Sequence, residues 1–135
     1  MSTAFRWPVR VFYEDTDTAG IVYYANYLKF FERARTEWLR HLGIEQQALR
    51  EATGGMFVVV ETQLKYHKPA QLDDLLTVNA SMLNKGRSSL VIAQQAWRQA
   101  TEPVLLCEGT IRIGWVQAAS LKPDRIPPSI LERLI

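Results

Sequence analysis

Phe5, Trp7, Val9, Val11 and Tyr13 alternate with Arg6, Pro8, Arg10 and Phe12. That period of two predicts a half-buried strand over residues 5–13, with Pro8 favouring a sheet edge. From Tyr24 the period lengthens: Tyr24, Tyr27, Leu28, Phe31, Ala34, Arg35, Trp38 and Leu42 recur at helical spacing. Gly43 is placed to end this helix, and a shorter helix over 44–52 is broken by Gly54-Gly55. Alternation then returns over 56–68, 75–84, 88–100 and 104–117, with turn signals at Asn84-Lys85-Gly86-Arg87 and Thr101-Glu102-Pro103. The tail after Ser120, with Pro123, Pro127 and Pro128, reads as a surface segment with a short terminal helix. One long aromatic helix and five antiparallel strands predict an α+β fold, the sheet curling around the helix.

Residues 1–135 fit one domain, large enough to bury a core without staples. A net charge of +2 with no isolated Lys/Arg block argues against nucleic acid as a partner. No run is apolar enough to span a membrane, which leaves only peripheral membrane contact. The single Cys107 forms no internal disulfide and points to a reducing cytoplasm; its alternating neighbours make it a buried strand thiol rather than a nucleophile. His41 and His67 are the only histidines, and no Cys/His/carboxylate cluster has metal-ligand spacing, so neither metal nor cofactor is expected. There is no nucleophile elbow, P-loop or dinucleotide fingerprint. Carboxylate chemistry remains.

Glu14, Asp15 and Asp17 close the first apolar segment, and Ala19-Gly20 follows, permissive of tight turning and of close ligand approach. The next helix start offers backbone N–H groups and the positive end of its dipole. A carboxylate facing such donors is half of an acyl-transfer site: the donors polarise a carbonyl, and the acid attacks it or activates water. Helix capping is the competing role, and periodicity does not choose between Asp15 and Asp17, which share the inward parity of Tyr13. Tyr13 would then shape the pocket beside the acid or simply fill core, and for Tyr23 and Tyr27 core packing competes with ligand contact. Arg87-Ser88-Ser89, after a Lys-Gly turn, is either a phosphate-holding turn with Lys85 or a solvated one, and Lys122 and Arg125 are weaker candidates for the same role. Glu32 and Glu37 are rival acids whose ordinary role is pairing with helix arginines.

Residues 11–38, V-F-Y-E-D-T-D-T-A-G-I-V-Y-Y-A-N-Y-L-K-F-F-E-R-A-R-T-E-W, resemble the hotdog-fold acyl-CoA thioesterases of the 4-hydroxybenzoyl-CoA thioesterase family. The nearest likeness is to its branch linked with the bacterial Tol-Pal envelope system. K-Y-H-K-P-A-Q-L-D-D (65–74), K-G-R-S-S-L (85–90) and the strand ending near Gly114-Trp115 extend the likeness over nearly the whole chain. The resemblance implies a hotdog fold, an acyl-CoA substrate, Asp17 as the catalytic carboxylate and the Tyr24 N–H as carbonyl polariser. It also implies a homodimer with active sites between subunits, or a homotetramer built from such dimers. Many members of the Tol-Pal branch carry His where this chain has Tyr24, which loosens the substrate more than the reaction. Hydrolysis of acyl carrier protein thioesters and a non-catalytic acyl-CoA-binding or envelope-associated module are the alternatives.

Overall fold

The computed structural model describes residues 4–134. Strand β1 (Phe5–Arg10) leads through a 3-10 turn (Tyr13–Asp15) and a short hairpin into helix α1 (Asn26–His41). Helix α2 (Gln46–Thr53) follows, then β2 (Gly55–Tyr66), β3 (Leu75–Lys85), β4 (Ser89–Arg98), β5 (Val104–Gln117) and a final turn of helix, α3 (Pro128–Leu131). The strands form one antiparallel sheet in the order β1-β3-β4-β5-β2. Consecutive β2 and β3 are therefore not neighbours: the chain from His67 to Asp74 crosses from one sheet edge toward the other.

Alternation does what the sequence predicts in the centre of the sheet. Leu76, Val78 and Ala80 of β3, and Leu90, Ile92 and Ala96 of β4, are fully buried on the face that meets α1. Helix α1 answers with Tyr27, Phe30, Phe31, Ala34, Trp38 and Leu39, an apolar stripe at helical spacing. Register shifts at Val59/Glu61, Met82/Asn84 and Ala96/Trp97 each insert a bulge, and bulges increase strand twist. The sheet accordingly curls around α1, the hotdog arrangement. The last of these shifts also explains why Leu106 and Cys107, adjacent in β5, are both buried.

Gly43 ends α1 at φ +82. The Gly43 N–H donates to Arg40 O and the Ile44 N–H to Leu39 O, the paired bonds of a Schellman motif. The C-terminal segment closes the core at that end, with Ile126, Ile130 and Leu134 buried beside Trp38 and Trp115. Lys85 belongs to this closure: its Nζ donates to the carbonyls of Leu131 and Leu134, at 3.5 and 3.4 Å. No helix among the described residues is long and apolar enough to cross a membrane.

Candidate active site

Strand β1 stops at Arg10, short of the predicted Tyr13, and the reason is Asp15. Its Oδ2 accepts from the Phe12 N–H at 2.8 Å and folds residues 13–15 into the 3-10 turn. Its carbonyl accepts from the Tyr23 N–H and from Asn26 Nδ2, so the same residue ties the turn to the returning chain and to the start of α1. Asp15 is 3% exposed, with Lys29 at 3.9 Å. The turn also breaks the parity that links Tyr13, Asp15 and Asp17. Tyr13, expected to face inward, is 82% exposed.

Asp17 opens the next element and is exposed. Its N–H donates to Ile21 O, and the Gly20 N–H donates back to Asp17 O. This makes Asp17–Gly20 the tip of a hairpin whose closing residue, Gly20, takes φ +79. Oδ1 of Asp17 accepts from the Ala19 N–H at 2.9 Å, an Asx turn, and Oδ2 has no partner among the described residues.

The helix begins at Asn26, two residues later than its period suggests, because Tyr23 to Ala25 form a turn outside the stripe. Ala25 stands at the N-cap, and no side chain caps it. The Tyr24 N–H meets no acceptor among the described residues, so it is a free donor at the helix tip. Asn26 bonds the backbone of Asp15 instead of capping. The Tyr24 carbonyl accepts from Tyr66 Oη at 3.2 Å, which pins this peptide to the end of β2.

Tyr24 is also among the residues that line a mainly apolar cleft of ≈ 290 Å³, with Val22, Tyr27, Tyr66 and His67. Tyr66 packs edge-on to Tyr24 and tilted against Tyr27, at centroid distances of 6.1 and 5.7 Å. Tyr27 is buried, its hydroxyl accepting from the Ala70 N–H, and burial raises its pKa. Tyr23 is nearly half exposed and packs tilted against Tyr24, with ring centroids 4.8 Å apart; the side-chain hydrogen bond with Tyr24 raises its pKa. Asp17 is not part of the cleft wall within one protomer; its hairpin runs directly into Ile21 and Val22, which are.

His67, with no role in the motif reading, reaches the cleft because the 67–74 connector crosses under the hairpin, where Val22 N–H donates to Ala70 O. Its Nε2 lies 2.7 Å from Glu108 Oε2. No local signal marks this placement, which depends on which strands pair. The rival acids are engaged elsewhere: Glu37 pairs with Arg40, and Glu32 accepts from Thr36 Oγ1. Burial pushes the Cys107 thiol up to about 12, with Glu108 adding to the shift, and so keeps it unreactive.

At the far end of the sheet, Arg87, Ser88 and Ser89 form a tight β3–β4 turn closed by the Gly86 N–H on Ser89 O. Arg87 and Ser88 are exposed, while Ser89 Oγ accepts from Arg112. Lys85 faces the C-terminal carbonyls rather than this turn, so the expected cationic pair at Lys85 and Arg87 is not formed. Among the described residues no group of three or more His, Cys, Asp or Glu side chains could hold a metal ion.

This arrangement has relatives. Residues 19–104 match the model of the thioesterase superfamily. The chain belongs to that family. It is 44% identical over 130 residues to the acyl-CoA thioester hydrolase YbgC of Escherichia coli O6:H1, covering 96% of this chain and 95% of that protein. It is 38% identical to the acyl-CoA thioesterase YbgC of Haemophilus influenzae, covering 96% and 93%. The 4-hydroxybenzoyl CoA thioesterase from Pseudomonas sp. strain CBS-3 superposes with a TM-score of 0.90 at 20% identity, covering 98% and 99% of the two chains, and so shares the fold. The family model begins at Ala19, so the match takes in Gly20 and the free amide at Tyr24 but stops short of Asp17.

Proposed function

We propose that this thioesterase hydrolyses acyl-CoA to free acid and CoA, with Asp17 and the Tyr24 N–H acting on one thioester carbonyl. The carbonyl oxygen accepts from the Tyr24 N–H, and the helix dipole adds to the stabilisation of the developing oxyanion. Asp17 Oδ2 either attacks the carbon, expelling CoA thiolate and leaving a mixed anhydride that water opens, or takes a proton from water attacking that carbon. A thioester has a competent leaving group, so one carboxylate and one donor suffice without a full triad. What supports this reading is that the Tyr24 N–H meets no acceptor among the described residues and that Tyr24 lines the mainly apolar cleft.

Assembly completes the site in this proposal. Strand β2 is a sheet edge whose Val59 and Val60 are 52% and 56% exposed, and exposed apolar edges invite pairing with another chain. Two protomers joined there would cover the cleft mouths, with the exposed rings of Tyr13 and Tyr23 on the covered surface. A tetramer of two such dimers fits the same family pattern. Gly20 keeps the hairpin tip narrow beside the substrate. Arg87 and Ser88 lie at the far end of the sheet from their own protomer's cleft. In this proposal they contact the CoA phosphates of a neighbouring protomer's site, with main-chain N–H groups and one guanidinium and without Lys85. A single domain over residues 1–135, cytoplasmic location and the Tol-Pal association rest on composition and motif likeness and belong to this proposal. The test is release of free thiol from short, long and aromatic acyl-CoAs by wild type and Asp17→Asn. Turnover by the wild type and its collapse in the variant are expected; near-normal hydrolysis by Asp17→Asn removes the assignment.

A further inference from the structure

Tyr66 is the last residue of β2, on the edge of the sheet, and is 47% exposed. Its Oη donates to Tyr24 O at 3.2 Å. Among the described residues Tyr24 O accepts from no other group, and the Tyr24 N–H meets no acceptor at all. The single main-chain hydrogen bond of Tyr24 is therefore made to a side chain 42 residues further along the sequence.

The other bonds of this turn are local. The Tyr23 N–H donates to Asp15 O, the Asn26 N–H to Tyr23 O and the Leu28 N–H to Ala25 O. They tie residues 23–25 to the 3-10 turn and to the helix tip, and none reaches a strand. Among the described residues, Tyr66 Oη supplies the one hydrogen bond that joins residues 23–25 to the sheet. Ring contacts support it: Tyr66 lies edge-on to Tyr24 and tilted against Tyr27, whose hydroxyl is itself held by the Ala70 N–H. Burial raises the Tyr66 pKa, with Cys107 adding to the shift, so the hydroxyl keeps its proton and stays a donor at neutral pH.

A donor that stabilises an oxyanion works by being in place before the charge develops, and a misplacement of about 1 Å can cost about 100-fold in rate. The helix start gives the Tyr24 amide no side-chain brace, because nothing caps α1 at Ala25. The brace comes from β2. We infer that Tyr66 is a positioning residue for the Tyr24 amide: its hydroxyl holds the Tyr24 carbonyl and so sets the aim of the N–H on the same residue. It acts through Tyr24 rather than on the thioester.

This rests on the thioesterase reading above and adds the residue that aims its carbonyl donor. The experiment compares kcat and KM for thiol release in wild type, Tyr66→Phe and Tyr66→Leu. It also reads the thioester carbonyl stretch of bound acyl-CoA in Asp17→Asn, with and without Tyr66→Phe. Loss of the hydroxyl predicts a fall in kcat per folded molecule of about 5- to 30-fold in either variant, with KM in Tyr66→Phe within about twofold. In the double variant the carbonyl stretch moves back toward its frequency in water. A Tyr66 that only supports the fold would lower the melting temperature and leave kcat per folded molecule and the carbonyl frequency unchanged, which overturns the inference. A raised KM at unchanged kcat in Tyr66→Phe overturns it too, since that marks a substrate contact. Each variant decides alone, so misfolding of one leaves the other to give the answer. Failure of the wild type on every acyl-CoA overturns the thioesterase reading and this inference with it. Collapse of turnover in Asp17→Asn beside an unimpaired Tyr66→Phe overturns this inference alone.

Discussion

Asp15 and Asp17 are two residues apart and sit in opposite surroundings, the first buried and the second exposed. Asp15 is enclosed in the 3-10 turn, where its carboxylate and carbonyl tie Phe12, Tyr23 and Asn26 together. Asp17 stands at an exposed hairpin tip, fixed through one oxygen and open at the other. The first acid serves the geometry of the turn; the second is held by one hydrogen bond and, in the proposed function, is the reactive group. A buried turn that makes an adjacent exposed group rigid is what a site needs when the ligand, rather than the protein, is to complete its contacts.

The sharpest way to break this contrast is at Asp17. Asp17→Asn is expected to lower turnover by about 10³-fold or more, at unchanged melting temperature; equal loss of both would make Asp17 structural. Next comes the open edge. Val59→Lys on β2 should weaken self-association by about 100-fold and reduce turnover in parallel, measured by light scattering and thiol release at matched concentrations. A fully active monomer would show that one protomer contains the whole site.

Asp15→Ala leaves the Phe12 N–H without its acceptor and should cost about 1–3 kcal/mol in denaturant unfolding. Activity per folded molecule should fall far less than in Asp17→Asn, and the opposite ranking would reverse the two roles. Gly20→Ala meets no atom within 4 Å, but its φ of +79 disfavours any Cβ. About 1 kcal/mol of destabilisation is expected, with a modest fall in kcat from a displaced hairpin. The smallest effect is at Cys107. With its thiol pushed up to about 12 from the ordinary 9.0, alkylating agents at neutral pH should leave activity unchanged. Because the folded state holds this proton more tightly, its contribution to stability is full below pH 9 and is lost as pH rises toward 12.

Where periodicity is set by burial on one side, it reads through to the structure. Strand β3, whose burial alternates, differs from expectation by one residue; β5 occupies the expected residues 104–117 although neighbours such as Leu106 and Cys107 are both buried. The site region fails that test for identifiable reasons. Tyr24 has helical spacing but precedes the helix, because the hairpin return needs Tyr23 to Ala25 as a turn. Tyr13 follows strand parity on paper, yet Asp15 has already folded the chain out of the strand. Helical spacing places Arg35 on the buried stripe, but neither its hydrogen bond to Gln94 nor the place of His67 in the cleft is legible locally, since both come from how distant strands and the crossing connector pack. Asp17 is the reverse case: spacing leaves it level with Asp15, and only the motif resemblance separates the two.

The most direct measurement is the isotope-edited infrared spectrum of the thioester carbonyl of an acyl-CoA bound to Asp17→Asn. The Tyr24 amide should draw the carbonyl stretch below its frequency in water, while the bound thioester persists for lack of the carboxylate. A carbonyl at its solution frequency, or hydrolysis at the wild-type rate during the measurement, would contradict the convergence of these two groups on one carbon.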